Sequence, residues 1–338
     1  MLTLGIDTSC DETAASVLLD GADVRSSIVA SQMVHADYGG VVPEYASREH
    51  MRAIVPVVRK AMEEAGTSYQ DLDGIAVTNR PGLIGCLLVG VSFAKALASS
   101  LCLPVVGVDH IEGHVVSVRL TEPETPLPMI CLVASGGHTE IILVESWDTM
   151  TTVGRTRDDA AGEAFDKVGK LLGVAYPAGP AIERMARGGD EQAFDFPRAM
   201  MSRDEPDMSF SGLKTAVRYT LERLGAVPQG ERLSDLLASF QAAIVDALVT
   251  KTVRAAERYD AVSVGLGGGV AANGPLRQRL TDEAEARGFR VVVPDKSFCT
   301  DNGAVIAAVG HRLLSQGEDH GAGMTVSASR HRPVRGSE

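Results

Sequence analysis

Residues 2–19, LTLGIDTSCDETAASVLL, decide the first element of the fold because two apolar runs flank a polar turn. Residues 2–6 and 14–19 have the length and composition of short β-strands. Between them, residues 7–13 carry hydroxyl and carboxylate side chains, which favour a turn. The stretch therefore predicts a β-hairpin with an acidic turn.

A second hairpin of the same kind is predicted in the later half of the chain. Residues 129–134 and 140–144 are apolar, and the turn between them reads Ser135-Gly136-Gly137-His138-Thr139. Segments with helical periodicity and further apolar strands follow each hairpin. Two hairpins, each opening about half of the chain, indicate an internal duplication. The alternation of strands and helices predicts an α/β fold with a layered sheet in each half.

The other predicted elements follow from periodicity and from glycine and proline positions. Helices are expected at 49–65, from the loop 81–85 to Ser100, at 162–172, after Pro180, at 234–259 and at 303–314; strands are expected at 75–78, 105–108, 261–266 and 290–293. Residues 194–212 look irregular, and the chain after about Gly317 has little apolar content.

Composition limits the class of protein. The chain has 338 residues, of which 45% are hydrophobic and 22% charged, so it can bury the core of one large or two smaller domains. A net charge of −12 and an aromatic content of 4% argue against a chain that binds RNA unaided. Contact with RNA would have to come from a local basic patch or from another subunit. The candidate patches lie near Arg48, Arg52, Arg59 and Lys60 and from Arg198 through Arg218. A solvated helix face is the commoner interpretation of such patches.

Cysteine usage and hydropathy indicate a cytoplasmic protein without a membrane span. The chain has five cysteines, an odd number, which disfavours a disulfide framework. No two of them form a Cys-x-x-Cys pair, which disfavours a zinc knuckle. No signal peptide is expected. No apolar run reaches the roughly 20 residues that a span needs, and the longest, 82–103, is expected to be a buried loop and helix.

The segment Val108-Asp109-His110-Ile111-Glu112-Gly113-His114 places two imidazoles four residues apart. On a helix this spacing puts both rings on one face, where they form half of a transition-metal site. The best third ligand is Asp301, in Cys299-Thr300-Asp301-Asn302-Gly303-Ala304. The alternative is an ordinary histidine pair that binds nothing. Glu112 should face away from the pair, so the His-Glu-x-x-His site of a metalloprotease is not indicated.

Three turns of small residues are candidates for phosphate or nucleotide binding. The turn at 135–139 is the better hairpin candidate, since the acidic turn at 7–13 suits a metal or a general base instead. Gly267-Gly268-Gly269-Val270-Ala271-Ala272-Asn273 follows a strand and opens a helix, and it matches a dinucleotide fingerprint with Asp295 after the next strand. That fingerprint normally opens a chain, and no Walker A motif is present. Two hairpins with a late strand–glycine–helix turn are the layout of actin-like ATPases.

These motifs, in this order, resemble the bacterial TsaD family, the tRNA N6-adenosine threonylcarbamoyltransferases. The resemblance runs from about Leu2 to about Leu314. It rests on residues 7–13, on His35-Ala36-Asp37-Tyr38-Gly39-Gly40-Val41-Val42-Pro43-Glu44, on residues 110–114 and 135–139, on Ser209-Phe210-Ser211-Gly212-Leu213-Lys214-Thr215 and on residues 299–304.

The resemblance implies a duplicated actin-like (ASKHA) fold of two lobes with a nucleotide and metal cleft between them. Residues 1–112 would form the first lobe, completed by about 304–325, with 113–303 as the second lobe and 326–338 as a mobile tail. The implied reaction transfers a threonylcarbamoyl group from threonylcarbamoyl-AMP to N6 of adenosine 37, in tRNAs that read codons beginning with A. One divalent metal, iron as Fe(2+) with zinc or magnesium as alternatives, would be held by His110, His114 and Asp301.

The resemblance also implies roles for single residues in binding the adenine nucleotide, whether ATP or the donor adenylate. The substrate contacts would be Val133, Ala134, Ser135, Gly136, Gly137, Asp166, Gly179, Glu183 and Asn273. The donor is a mixed carbamoyl–phosphoryl anhydride, and the amides of 135–137 would stabilise charge that develops during transfer. Asp11 or Glu12 would accept the proton of N6, the alternative being a turn-forming acidic pair.

The implied partners are tRNA, a TsaB-like paralogue and a TsaE-like ATPase, in a heterodimer or larger complex. The helix at 49–65 would face the paralogue. One residue departs from the family, which usually has glycine where this chain has Arg80, in Arg80-Pro81-Gly82-Leu83. A positive φ there would strain the arginine by about 1–2 kcal/mol. The alternative is a loop adapted locally to a partner or to tRNA phosphate.

Three other functions compete with the transferase. A small-molecule kinase of the actin-like superfamily would explain the hairpins but not His110, His114 and Asp301. A metalloprotease would need the missing His-Glu-x-x-His motif. A non-catalytic interaction subunit is disfavoured by the intact metal ligands.

Overall fold

The structure is a computed structural model that describes residues 1–202 and 204–329, apart from the side chains of Ala36 and Asp37. The chain forms two compact units. Unit 1 contains Met1–Pro123 and the described residues from Thr300 onward, and unit 2 contains Glu124–Cys299. The predicted tail at 326–338 lies mostly outside the described residues.

Unit 1 is built on a five-stranded mixed sheet. Its elements are β1 (Leu2–Asp7), β2 (Glu12–Leu19), β3 (Asp23–Ser31), α1 (Pro43–Glu64), β4 (Gly74–Arg80), α2 (Ile84–Leu101), β5 (Val105–Asp109), α3 (His110–Thr121) and, from the end of the chain, α10 (Gly303–Ser315). The strand order is β3-β2-β1-β4-β5. The first three strands are antiparallel, and β4 and β5 run parallel to β1.

Unit 2 repeats this plan. Its elements are β6 (Met129–Ala134), β7 (Thr139–Ser146), β8 (Thr149–Arg155), α4 (Ala161–Leu172), α5 (Gly179–Met185), α6 (Ser211–Leu224), α7 (Glu231–Arg258), β9 (Ser263–Gly267), α8 (Gly274–Glu285), β10 (Arg290–Val292) and α9 (Lys296–Cys299). The order β8-β7-β6-β9-β10, with the same parallel and antiparallel pairings, matches that of unit 1 strand for strand. The predicted duplication and α/β class are confirmed.

The first unit ends later in the sequence than the predicted boundary after residue 112, which lies inside α3. That helix is continuous from His110 to Thr121 and follows β5 directly, so all of it belongs to unit 1. The chain returns to unit 1 at Thr300, a few residues before the predicted 304.

Helix α10 closes the core of unit 1 by packing on β1, β2 and β4. The approach is close because two glycines face each other. A Cβ atom on Gly5 would collide with the carbonyl oxygen of Gly303, and a Cβ atom on Gly303 would lie 2.6 Å from the carbonyl oxygen of Gly5. Both positions therefore need a residue without a side chain.

Two strands and two helices were not predicted, and the shorter of these helices is α9, with four residues. Strands β3 and β8 are each the outermost antiparallel strand of a sheet, and β3 is exposed at most of its positions. Helix α6 occupies part of the chain after the region expected to be irregular. Helix α1 begins six residues before the predicted 49, at Pro43, a residue type that suits the first turn of a helix.

Two helices, α2 and α7, are long and apolar enough to cross a membrane by length and composition alone. The apolar window of α7 is 89% buried within unit 2, and a core helix passes the same test. The window of α2 is 33% buried, so the expectation of a buried helix holds for one face only.

Candidate functional site

The two histidines of the metal motif project from the first two turns of α3. Asp109, the last residue of β5, caps this helix by accepting hydrogen bonds from the amides of Ile111 and Glu112. The His110 and His114 rings lie edge to face with centroids 4.5 Å apart, and both are buried. The sequence spacing therefore places both rings on one face of the helix, as predicted.

Asp301 reaches the same point from the segment that enters α10. Its Oδ1 atom lies 3.5 Å from Nε2 of His110 and 3.4 Å from Nε2 of His114. One ligand atom from each of the three residues lies within 4.8 Å of the other two. Glu112 is outside this group and instead pairs with Arg312 of α10. All of these residues belong to unit 1.

The side chains in this cluster fit a divalent transition metal. Both ring nitrogens of His114 are buried and, within the described part of the chain, have no hydrogen-bond partner. A buried polar atom without a partner is costly and calls for an explanation. Two imidazoles and one carboxylate suit iron or zinc better than magnesium, which prefers oxygen ligands. A metal ligated by His114 would account for the unpartnered Nε2 atom.

Asp7, at the end of β1, holds the outer nitrogen of His110. Its Oδ2 atom lies 2.9 Å from Nδ1 of His110, and Ser9 Oγ lies 3.3 Å from the same nitrogen. Burial alone would lower the pKa of His110, but Asp301 and Asp7 outweigh it and raise this pKa to about 9. The metal-free ring is therefore protonated at neutral pH. The sequence identified the turn as acidic but not Asp7 as the partner of His110.

Of the two candidate bases, Asp11 lies in the turn between β1 and β2, and Glu12 is the first residue of β2. Burial, Asp301 and Asp11 together raise the pKa of Glu12 well above its usual range. The pKa of the Cys10 thiol is also raised well above its usual range, first by burial and then by Asp11. A site this crowded with carboxylates favours occupation by a cation.

Arg80 is the last residue of β4 and is not among the residues with positive φ, so the condition for a strained arginine is not met. Its Nε atom lies 3.8 Å from Oδ2 of Asp109. The arginine therefore approaches the carboxylate that caps the histidine-bearing helix, while its side chain remains 37% exposed.

In unit 2, the turn between β6 and β7 leaves two backbone amides available. The amide of Ser135 donates to the carbonyl of His138 at 2.8 Å, so this amide is already used within the turn. Within the described residues, the amides of Gly136 and Gly137 donate to no protein acceptor. A Cβ atom on either glycine would meet open space. The turn thus presents two free donors on an open surface.

The other predicted contacts of unit 2 lie on α4, on α5 and before α8. Asp166 accepts a hydrogen bond of 2.7 Å from the amide of Ala178, next to Gly179. Glu183 accepts from the amide of Gly274 at 3.3 Å and from Nδ2 of Asn273 at 3.3 Å.

Asn273, predicted as a substrate contact, also has a structural role at the start of α8. Its Oδ1 atom caps α8 by accepting from the amide of Leu276, and its Nδ2 atom also donates to Oε1 of the buried Gln241 at 2.9 Å. Nothing in the sequence signalled Gln241, because a glutamine inside a long helix has no motif of its own. Val133 and Ala134 are buried in β6, so their side chains present no surface to a ligand.

Comparison with known proteins places the chain in one family. Residues 23–308 match the family model described as TsaD: tRNA N6-adenosine threonylcarbamoyltransferase. The tRNA N6-adenosine threonylcarbamoyltransferase of Sorangium cellulosum is 52% identical over 332 residues, covering 94% of this chain and 93% of that protein.

Solved structures show the same fold at low sequence identity. HypF of T. kodakarensis aligns with a TM-score of 0.62 at 16% identity, over 93% of this chain and 48% of HypF. Component A of the (R)-2-hydroxyglutaryl-CoA dehydratase of Acidaminococcus fermentans aligns with a TM-score of 0.54 at 15% identity, over 93% and 99% of the two chains. With the repeated sheet order, these likenesses confirm the predicted actin-like fold.

Proposed function

The chain belongs to the tRNA N6-adenosine threonylcarbamoyltransferase family, and on that premise we propose the details of its reaction. The threonylcarbamoyl donor is threonylcarbamoyl-AMP, and the acceptor is N6 of adenosine 37 in tRNAs that read codons beginning with A. The reaction uses one divalent metal, iron in the first instance, held by His110, His114 and Asp301.

One observation carries the metal in this proposal. His114 is fully buried in unit 1, and both of its ring nitrogens lack a hydrogen-bond partner within the described residues. A structural histidine would use at least one nitrogen, as His50 does with Thr13. A ligand role explains the unused Nε2 atom, and it also explains why Asp301 lies 3.4 Å from that atom.

The protein's own groups have separate tasks in the proposed transfer. When bound, the metal would supply a Lewis acid for the carbonyl or phosphate oxygens of the donor. The amides of Gly136 and Gly137 would stabilise negative charge on the donor as AMP leaves. Asp11 would accept the proton from N6. Glu12 is protonated in the metal-free site and would serve only after a bound cation lowers its pKa.

The adenylate part of the donor is proposed to bind unit 2. The Glu183 carboxylate is held in place by Asn273 and by the amide of Gly274, and it keeps lone pairs for the ribose hydroxyls. The open surface at Gly179 leaves room for the nucleotide beside Asp166.

We also propose partners for this chain: tRNA, a TsaB-like paralogue and a TsaE-like ATPase. The outer faces of α1 and α2 support the paralogue, because apolar side chains are exposed there on two helices that pack together. These residues are Tyr45, Met51, Val55, Ile84 and Leu88. A complex would also add basic surface for tRNA to a chain whose own net charge is −12.

The test is formation of threonylcarbamoyladenosine, detected by mass spectrometry of tRNA nucleosides. The reaction contains this protein, its partners, threonylcarbamoyl-AMP and a tRNA that reads codons beginning with A. We expect product with the native protein and with Asp319→Ala, an exposed control, but not with Asp301→Ala. Product that survives Asp301→Ala would remove the metal from the proposal. ATP-dependent phosphorylation of a small molecule, without modified tRNA, would favour the kinase alternative.

A further inference from the structure

The acidic turn of unit 1 is attached to α1 by one buried imidazole. His50 lies on the inner face of α1 and is completely buried. Its Nε2 atom lies 3.0 Å from the carbonyl oxygen of Cys10, and its Nδ1 atom lies 2.8 Å from Oγ1 of Thr13. Cys10 and Thr13 immediately flank Asp11 and Glu12, so the ring spans both carboxylates.

The chemistry of the two contacts fixes the state of the ring. A carbonyl oxygen only accepts, so Nε2 of His50 carries the proton and donates it to Cys10. Burial lowers the pKa of His50, which keeps the ring neutral. Nδ1 then accepts from the hydroxyl of Thr13, and both nitrogens of the ring are used.

The turn crowds several carboxyl groups together, and Glu12 shares a hydrogen bond with Asp11. Asp301, Asp11 and Asp7 all act on Glu12 and, with burial, raise its pKa. On its other side the turn is tied by the amide of Leu83, which donates to the carbonyl of Ser9. That bond lies before Asp11 in the chain, and on the β3 side the amide of Gln32 donates to the carbonyl of Asp11. His50 adds a clamp of side-chain contacts on the α1 side, at Cys10 and Thr13, immediately before and after the two carboxyl residues.

We propose that His50 is a positioning residue for the transfer reaction: it sets Asp11 and Glu12 against the metal ligands through Cys10 and Thr13. The inference rests on the proposed function for its catalytic meaning, but the clamp itself is a structural claim. Removing the ring leaves the Cys10 carbonyl and the Thr13 hydroxyl without their partner, so the backbone that carries the two carboxyl groups is free to shift. A misplacement of about 1 Å lowers the rate by on the order of 100-fold.

The experiment compares His50→Ala, His50→Gln and Thr13→Val with the matched control Ser26→Ala. Ser26 is buried in β3 of the same sheet and accepts a hydrogen bond from the amide of Val17, away from the turn. The amide nitrogen of glutamine replaces Nε2 of histidine, so His50→Gln keeps the bond to Cys10. Each variant is measured for kcat, for KM of the adenylate donor, for bound metal and for thermal stability.

We expect kcat to fall by roughly 10- to 100-fold in His50→Ala, with KM and metal content unchanged and with partial rescue in His50→Gln. Ser26→Ala keeps the native kcat. A kcat in His50→Ala that falls no further than in Ser26→Ala would overturn the inference. Loss of metal in parallel with kcat would also overturn it, since the ring would then support the metal ligands instead.

A second readout does not depend on activity. The alkylation rate of Cys10 is followed by mass spectrometry in a Cys102→Ser background, because Cys102 is exposed. Release of the turn should raise the alkylation rate of Cys10 about tenfold or more in His50→Ala and not in Ser26→Ala. An unchanged rate overturns the clamp even if the proposed transfer is correct. The two proposals can also fail separately. If Cys10 is alkylated faster in His50→Ala but the native protein makes no product, the clamp is supported and the proposed function fails.

Discussion

Asp7 Oδ2 lies 2.9 Å from Nδ1 of His110, so a buried carboxylate at the end of the first strand orients a ring that projects from the third helix. The Nδ1 proton is directed to Asp7, which leaves Nε2 of His110 for the side facing Asp301. A carboxylate behind a histidine in this way fixes the tautomer and strengthens the histidine as a ligand.

Asp7→Asn should therefore weaken metal binding while preserving the shape of the site. The amide of asparagine would favour the wrong tautomer of His110, and we expect the affinity for Fe(2+) or Zn(2+) to fall by about 10- to 100-fold. Metal titration of the purified protein measures this change. Asp319→Asn is the matched control, because Asp319 also accepts hydrogen bonds, from the amides of Val105 and Gly321, but is not part of the histidine cluster. The metal affinity of this control should equal that of the native protein. Equal affinity in Asp7→Asn would exclude a role for Asp7 at the metal.

The stability of the metal-free protein should fall as the pH rises from about 5 to about 9. The pKa of His110 is about 9 in the folded protein and 6.5 in the unfolded chain, so its stabilising proton is lost across that range. Glu12 acts in the same direction, because its carboxyl is neutral when folded but ionises above its ordinary pKa of 4.5 when the chain unfolds.

The pH dependence of Tm in chelator-treated protein tests this prediction. Glu12→Gln keeps the neutral shape and should flatten the decline, with most of the gain at the alkaline end. A Tm that rises with pH in the metal-free protein would contradict the direction predicted for both His110 and Glu12.

Gln241→Leu should weaken the binding of adenine nucleotides, although residue 241 is not itself a proposed nucleotide contact. It removes the acceptor for Nδ2 of Asn273, whose amide also holds Glu183. A buried donor left without its partner costs about 1–3 kcal/mol, and we expect affinity for the nucleotide to fall about tenfold. Calorimetric titration with ATP measures it. Ser239→Ala, which changes a neighbouring side chain with partners elsewhere, should bind normally. Native affinity in Gln241→Leu would mean that Asn273 needs no support.

Gly5→Ala should destabilise unit 1, because the new methyl group meets the backbone of α10 at Gly303 and Ala307. Overpacking of this kind costs about 1–3 kcal/mol, measured by denaturant unfolding. Gly212→Ala in α6 is the opposite control, since a Cβ atom there meets nothing within 4 Å. That substitution should stabilise the protein by about 0.4–1 kcal/mol. Equal effects of the two substitutions would show that α10 does not pack as described.

The sequence predicted the features that local pattern controls. The hairpins at β1–β2 and β6–β7 follow from apolar runs around polar turns, and the pairing of His110 with His114 follows from helical spacing. Strand β3 was missed because it is mostly exposed, and β8 because two of its buried residues, Thr152 and Gly154, are not apolar side chains, so neither strand shows a regular apolar pattern. His50 and Gln241 were missed for another reason: each acts through residues more than 30 positions away in the chain, and only the folded packing brings them together.

The discontinuous composition of unit 1 has a consequence for synthesis on the ribosome. Its sheet is complete when Asp109 has been made, yet α10, which covers β1, β2 and β4, is among the last elements to be translated. Asp301 belongs to the same late segment. The nascent first unit therefore waits with an uncovered sheet face and two histidines while the whole of unit 2 is translated. The three proposed metal ligands are all present only after translation has passed residue 301, so a chain that stops earlier cannot complete the proposed site, and its uncovered sheet face is the kind of apolar surface that promotes aggregation.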